Sequence, residues 1–324
     1  MNSSPERQLH VVTGAGPVGS TIALQLSERG QPVRLLTRSG GGPEHPLVER
    51  RRVDVSHAAG LAEHFDGAAA VYHCIHGSAY SAKVWRAELP AAEQAVLAAA
   101  GRAGAVVTFP ESLYSYGPVE GPMTEDLPRD ATQGKLGIRA ELLRARAASS
   151  TPTVSVAASD FYGPRVRMAH AGERLVPALL EERRVALVGS LDQPHSFTYV
   201  PDLAGAMIRA AQTPSLWGQF LHAPTAPPPT QRELAEALAQ AAGVASPRLS
   251  VLPAWALKAS GLVSRDAREL AETSYQFTGP FVLDSSHSEA LLGQSPTPLD
   301  VAAKETVDWW RAQVSHPVAA RRRP

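Results

Sequence analysis

The sequence predicts an α/β protein built on a doubly wound parallel sheet, with a smaller C-terminal α/β lobe for a substrate. Three observations lead there. Residues 9–30 read as a strand, a glycine turn and a helix. After them, short apolar runs alternate with helical stretches as far as Pro164, the order that produces parallel strands with helices on both faces. Beyond Pro164 the alternation loosens and the chain becomes mostly helical.

The opening segment carries the most chemistry. Leu9, Val11 and Val12 form a short β-branched apolar run, and Ile22, Ala23, Leu24 and Leu26 recur at helical spacing until Gly30. Between them Gly14, Gly16 and Gly19, with Pro17 and Val18 inside the motif, have the spacing G-x-G-x-x-G. In that context the first glycine makes the tight turn. The second lets the backbone approach a pyrophosphate, and the third lets helix and strand pack closely. The helix N-terminus then faces the anion. The plainer reading is a strand–turn–helix corner without a ligand.

The bulk numbers narrow the class. The chain has 324 residues, 44% hydrophobic and 19% charged, as in a globular enzyme. Lys+Arg and Asp+Glu are both 31, so the net charge of zero argues against a nucleic-acid partner. The arginines at 321–323 read as a solvated tail. Cys74 is the only cysteine, which excludes an intrachain disulfide and suits a reducing cytoplasm. The first eight residues lack the apolar core of a signal peptide, and no apolar run reaches the roughly 18 residues of a membrane span. The expectation is a cytoplasmic protein acting on a small molecule.

Residues 32–36 read as the second strand. Enzymes that prefer NAD place an acidic residue near its end, whereas this chain has Thr37, Arg38 and Ser39. A cation with two hydroxyls suits a 2′-phosphate, so the cofactor expected is NADP(H). The plainer reading of Arg38 is a surface loop cation. Residues 53–56 read as the third strand, with Asp54 placed to accept from an adenine amino group and Val55 beside it. Residues 68–75 read as the fourth, whose end, Cys74, Ile75 and His76, is placed over the nucleotide ribose. His73 and His76 are not read as a metal site, because three residues apart on a strand they face opposite ways and no zinc-like spacing follows. A helix is expected over 81–103, broken at Pro90.

The fifth strand, 105–109, runs into Pro110, Glu111 and Ser112. A helix over 136–148 precedes a sixth strand, 153–157, leading to Ser159 and Phe161. Pro110, Ser159 and Phe161 are assigned to the cofactor crevice. Later expectations are a helix over 173–182, a strand over 185–188, a strand-like segment over 195–200, a helix from Pro201 to 211, a strand over 218–222, and a helix over 231–242 capped by Thr230. Trp255, Trp309 and Trp310 read as packing anchors. Residues 1–164 form mainly the nucleotide-binding part and 165–324 mainly the substrate lobe, with about 195–213 returning to the first. No internal repeat is present.

These motifs resemble the short-chain dehydrogenase/reductase superfamily in its extended or atypical, epimerase/dehydratase-like form. The resemblance rests on the glycine turn, Asp54-Val55, the segment from Ser112 to Tyr116-Gly117, Asp160-Phe161-Tyr162-Gly163-Pro164, and the segment from Phe197 to Ala204. It implies a Rossmann-like fold. Members usually carry Tyr-x-x-x-Lys on the helix after the serine strand, the tyrosine acting on the carbonyl proton and the lysine lowering its pKa. Aligning Glu141 with the acidic residue one turn past that lysine puts Gln133 at the tyrosine and Gly137 at the lysine. Neither is an acid at neutral pH. Ser112 is retained. The asparagine of the preceding helix is absent, with Pro90 or Ala91 near its place.

The reading that follows is an NADPH-dependent reductase of a ketone, as in atypical reductases of antibiotic pathways, with a polyketide-type aromatic substrate. Hydride transfer depends first on positioning. The proton would come from Tyr114, Tyr116, Tyr162 or His195, from water, or from a hydroxyl of the substrate beside its carbonyl. Ser112, Tyr116 and Gln133 are the candidate catalytic positions. Ser112 also reads as a turn cap, Tyr114 and Tyr116 as core aromatics, and Glu111 as a solvated loop carboxylate. The alternatives are a non-redox dehydratase or isomerase with a structural nucleotide, and a non-enzymatic NADP-binding sensor. No G-x-S-x-G elbow occurs, which disfavours a serine hydrolase. The resemblance also implies a homodimer through alanine-rich helices.

Overall fold

The computed structural model describes residues 8–56, 60–261 and 264–315. The arginine run at 321–323 and most of the segment read for a leader lie outside them. The elements in chain order are β1 (Leu9–Thr13), α1 (Pro17–Glu28), β2 (Val33–Thr37), β3 (Val48–Arg52), α2 (Leu61–Phe65), β4 (Ala68–His73), α3 (Ala82–Ala103), β5 (Val106–Ser112), α4 (Gly134–Ala147), β6 (Thr153–Ala158) and β7 (Asp160–Tyr162). They continue with α5 (Val176–Leu180), β8 (Val185–Val188), β9 (Phe197–Tyr199), α6 (Val200–Ala211), β10 (Phe220–His222), α7 (Gln231–Ala242), β11 (Leu249–Leu252), α8 (Ala254–Ser260), α9 (Arg265–Thr273), α10 (Ser286–Leu292) and α11 (Leu299–Ser315).

Seven strands form one parallel sheet in the order β10-β6-β5-β4-β1-β2-β3. The chain winds outward from β1 in one direction and then, from β4, in the other. The C-terminal ends of β1 and β4 therefore diverge, and α/β sheets bind ligands in the crevice at that point. Successive residues on β1 serve opposite faces. Val12 packs with Ile22, Leu26 and Leu35 of α1 and β2 and with Leu203 and Met207 of α6. Val11 packs with Leu36, Phe65, Val71, Val96 and Val107 on the other side. A separate apolar cluster, including Leu175, Leu187, Phe197, Leu234, Val307 and Trp310, holds the C-terminal lobe. The pairs β7–β9 and β8–β11 are small parallel sheets outside the main one.

Several elements differ from expectation. The third strand is Val48–Arg52, not 53–56. It is the sheet edge, with Arg50, Arg51 and Arg52 outward, so its sequence shows no apolar alternation; charge on an edge strand discourages further pairing. Residues 53–54 leave the sheet, and Val55 turns into the core at 2% exposure. α3 runs through Pro90 unbroken. Trp85, Leu89, Ala92, Val96 and Leu97 keep both halves of the helix buried, and that packing outweighs the roughly 3 kcal/mol a helix-interior proline costs. α5 covers only Val176–Leu180 of the expected 173–182. Trp310 is buried, with Trp309 edge-on at 5.1 Å, but Trp255 is 72% exposed, because α8 attaches through Leu257 instead. Thr230 does cap α7: its side chain accepts from the Glu233 N–H while the Glu233 carboxylate accepts from the Thr230 N–H.

Candidate functional site

The three glycines of the first turn differ in what confines them. Gly14 has φ +91°, and a β-carbon there would stand 2.9 Å from the Cys74 carbonyl oxygen and 3.1 Å from Ile75 Cγ1. A β-carbon on Gly19 would overlap the Gly14 carbonyl. One on Gly16 would meet nothing within 4 Å. Gly14 and Gly19 are thus explained by the fold, whereas the space in front of Gly16 is open and lies at the amino end of α1. Pro17 occupies the first helical turn, where its missing N–H is no loss, and Gly16 brings no capping side chain. The free N–H groups of that turn, with the helix dipole, favour an anion there. Cys74 N–H donates to Thr13 O at 2.9 Å, closing β4 against β1 beside the turn. Burial pushes the Cys74 thiol up, so it stays protonated.

The structure brings Gly14, Gly16, Pro17, Val18, Gly19, Cys74 and Ile75 together around this turn. Val18 is buried, so only its backbone is available to a ligand. Arg38 and Ser39 are exposed at the end of β2; the Thr37 hydroxyl is spent on Gly41 O at 3.0 Å, holding the loop. Asp54 is exposed, with Oδ1 accepting from Ser56 N at 3.1 Å. Ser78 donates through N and Oγ to Glu88, whose carboxyl is held down by those bonds and by the charge of Arg38. Arg38 and Asp54 thus both lie within electrostatic reach of Glu88, while Val55 packs inward. His76 is exposed, with its ring edge-on to Trp85 at 4.5 Å. The His73 ring is buried and bound through Nδ1 to Thr13 Oγ1 at 2.8 Å. Among the described residues no three His, Cys, Asp or Glu side chains gather as a metal site, and no helix is long and apolar enough to cross a membrane.

Ser112 ends β5 and remains partly exposed. Its hydroxyl donates to Glu111 Oε1 at 3.2 Å. Glu111 is not the solvated loop carboxylate expected: it is 3% exposed, on the strand's inward face. Arg146 Nη1 lies 2.7 Å from Glu111 Oε2, and Arg146 Nη2 lies 2.6 Å from Glu93 Oε1. Arg139 adds a 3.4 Å contact to Glu111. Burial would raise the Glu93 pKa, but the Arg146 guanidinium overcomes that and holds it below the usual range. The network fixes the floor beneath Ser112. Pro110, also on β5, pairs with Val156 and is half-buried. Ser159, after β6, is buried with no partner for its hydroxyl, and Phe161 packs against the α1–α6 core.

The structure does not bring Tyr116 to Ser112. Its hydroxyl donates to Thr124 O at 2.9 Å and meets His222 Nε2 at 2.8 Å, within a cluster of Leu113, Met123, Phe281 and Leu283. Burial pushes that phenol up to about 12. Tyr162 is likewise a core ring, 5.4 Å from Tyr199. Gln133 is the exposed N-cap residue of α4. Gly137 is buried, and a β-carbon on it would overlap the Thr132 carbonyl. No tyrosine in the chain is followed four residues later by lysine. Lys135, absent from the expectations, is fully buried. Its Nζ lies 2.8 Å from Glu269 Oε2 and 2.6 Å from Glu272 Oε2, both on α9.

Two phenols do meet at the crevice. Tyr80 Oη is 2.8 Å from Tyr114 Oη and 3.0 Å from Thr273 Oγ1. Trp85 stacks on Tyr114 at 6.2 Å and stands edge-on to Tyr80 at 5.4 Å. Burial is the main cause that keeps both phenols protonated, and the nearby Asp160 charge adds to it. Asp160, at the start of β7, contacts His195 Nε2 through Oδ2 at 2.8 Å. His195 was among the candidate proton sources, but Tyr80 and the role of Asp160 as its partner were missed; the only sequence signal for Tyr80 and Asp160 was their position just past the ends of β4 and β6.

The sheet order, the glycine turn and the crevice define a dinucleotide-binding α/β protein of Rossmann type. The chain belongs to the NAD dependent epimerase/dehydratase family, which residues 10–219 match. No curated protein matches the sequence. Among solved structures the chain is similar to the Bordetella bronchiseptica enzyme WbmH in complex with NAD+ (20% identity, 95% of this chain and 99% of that one, TM-score 0.74). It is also similar to UDP-glucuronic acid 4-epimerase from Bacillus cereus in complex with NAD (19%, 94% and 99%, 0.73). A third is UDP-glucose 4-epimerase from Thermotoga maritima with UDP-glucose (17%, 95% and 100%, 0.75). At these identities the likeness is one of fold.

Proposed function

We propose that the protein is an NADPH-dependent reductase of a ketone that works without the usual tyrosine–lysine pair. The observation that carries this reading is the contrast among the three glycines: the fold itself requires Gly14 and Gly19, while the bare Gly16 keeps space open at the amino end of α1. That space fits a pyrophosphate held by backbone N–H groups, with Arg38 and Ser39 toward a ribose 2′-phosphate and Asp54 toward the adenine. When bound, the dinucleotide would supply a hydride. The chain's own part is to hold the carbonyl near Ser112, whose hydroxyl can donate to it, and to keep water from the reacting carbon.

The open rings of His76 and Tyr80, backed by the buried Trp85 and the part-buried Tyr114, support an aromatic substrate of polyketide type, because ring faces and edges recognise other rings. The test is NADPH oxidation at 340 nm against a panel of aromatic polyketide ketones. Turnover with at least one ketone is expected. Silence in spite of tight NADPH binding would overturn the reading in favour of a sensor. Product formed with no net NADPH loss would assign the site to a dehydratase or isomerase.

A further inference from the structure

His195 is 2% exposed and held at both ring nitrogens. Nδ1 lies 3.1 Å from the main-chain oxygen of Gln276, and Nε2 lies 2.8 Å from Asp160 Oδ2. A carbonyl oxygen only accepts, so Nδ1 carries a hydrogen. An ionised carboxylate also only accepts, and a neutral imidazole has a single N–H. The hydrogen between Nε2 and Oδ2 is therefore an additional one. The pair holds one proton more than a neutral imidazole beside a carboxylate, whether written as imidazolium and carboxylate or as imidazole and carboxylic acid. His222 differs in the group at Nε2: it faces the Tyr116 hydroxyl and no carboxylate, and a neutral ring satisfies its contacts when the one hydroxyl hydrogen turns from Thr124 O to Nε2.

Phe277 lies parallel to the His195 ring at 4.7 Å, and Phe197 and Phe281 lie at 4.6 and 5.2 Å, so three aromatic rings enclose the imidazole. The other titratable groups facing the pair are His170, stacked on Phe277 at 4.4 Å with Nε2 on the Gln231 side-chain oxygen, and the phenols Tyr80 and Tyr114, which feel the Asp160 charge. Burial lowers the His170 pKa, so that ring is neutral. The His195 side chain is 3% exposed but that of Asp160 is 24% exposed. Asp160, just past the end of β6, is thus the more open member of the pair, and its charge is felt by Tyr80 and Tyr114.

We propose that the Asp160–His195 pair is the proton store of this site, with Asp160 delivering the proton to the oxygen of the reduced carbonyl and His195 acting as the positioning residue that holds it. The proposal rests on the reductase reading. The carbonyl carbon gains a hydride from the reduced dinucleotide, the π pair moves to oxygen, and that oxygen takes the stored proton. Ketone, hydride and proton become a secondary alcohol and oxidised dinucleotide. The pair, left as neutral imidazole and carboxylate, regains its proton from water.

The first measurement is ¹⁵N NMR of the full chain labelled at histidine, at pH 7 and without nucleotide. The His195 signals are expected to show hydrogen on both ring nitrogens, or hydrogen on Nδ1 alone together with a protonated-carboxyl infrared band that Asp160→Asn removes. A bare Nδ1 with its one hydrogen on Nε2 would overturn the proposal. The second measurement is turnover by Asp160→Asn, expected to fall about a hundredfold or more while the NADPH dissociation constant stays within about twofold. Wild-type turnover in that variant sinks the proton store and leaves the reductase standing. A ketone whose neighbouring hydroxyl is blocked as a methyl ether is expected to react at an undiminished rate; a sharp loss would make the substrate the donor instead. If the wild type reduces no ketone, the reductase reading fails and the donor role with it, while the NMR result still decides the protonation of the pair.

Discussion

The Thr132 carbonyl oxygen fills the space into which a side chain on Gly137 would have to grow. The chain entering α4 folds back over its own first turn there, so the position at which the resemblance expects a lysine has room only for hydrogen. The double variant Gln133→Tyr, Gly137→Lys is expected to lose about 1–3 kcal/mol of stability through overpacking, with no gain in ketone reduction. Urea unfolding and NADPH oxidation check this. A stable variant with raised turnover would show that α4 accepts the usual apparatus.

Gly16 and Gly19 are expected to separate binding from folding. Gly16→Ala should leave the melting temperature unchanged, because the added methyl meets no protein atom, and weaken dinucleotide binding by about tenfold or more. Gly19→Ala should lower the melting temperature itself. Calorimetry of both variants with and without nucleotide distinguishes the two; equal effects would mean that the turn has no ligand side.

Arg38→Ala should weaken NADPH binding about tenfold and leave NADH binding within about twofold, since only the 2′-phosphate loses its cation. Titration of protein fluorescence with each dinucleotide measures it. An unchanged ratio would assign Arg38 to the solvent.

Arg146 joins Glu93 and Glu111 inside the protein, and removing it leaves Glu93 without a cation and Glu111 with only the 3.4 Å contact to Arg139. Arg146→Leu is expected to cost about 3–5 kcal/mol, and Glu93→Leu added to it should recover part of the loss. Urea unfolding of the single and double variants tests the coupling. The effect should reach the crevice as well, because Glu111 also binds the Ser112 backbone at 2.8 Å.

Two buried histidines make the fold acid-sensitive. Burial lowers the pKa of His10 to about 4 and that of His73 to about 4. In the unfolded chain each takes up a proton near pH 6.5, whereas in the folded chain each stays neutral to about pH 4. Their stabilisation is complete above pH 6.5, falls as the pH drops through that window, and levels off below it, by about 3 kcal/mol per group. His10→Gln should flatten the slope of unfolding free energy between pH 6.5 and 4.5. An unaltered slope would mean that His10 titrates in the folded state as it does in the unfolded one.

The inner strands were legible because burial on both faces leaves a continuous apolar run, as in Val11-Val12 and Val106-Val107. The edge strand β3 was not, because Glu49 and Arg50–Arg52 carry charge where a buried strand carries aliphatic groups. Pro90 misled for a related reason: a local breaker is overruled when the residues on both sides share one core. At the site, the glycine turn could be read because its chemistry is local in sequence. Glu111 could not, since its partners Arg139 and Arg146 come from α4, and Glu93, which shares Arg146, from α3. The Asp160–His195 contact joins residues 35 positions apart, and the protonation argument needs the carbonyl of Gln276, a further 81 residues from His195.

Both carboxylates that neutralise Lys135 belong to α9, and one of them also accepts from the Lys135 main-chain N–H at 2.8 Å. Prying α9 away would strand an amine in an apolar hole and unravel the first coil of the helix beside it. The lobe is riveted to the floor at that spot, and the rivet extends to Tyr80, whose ring carries the Lys135 ammonium at 4.5 Å and whose hydroxyl meets Thr273 at the end of the same helix.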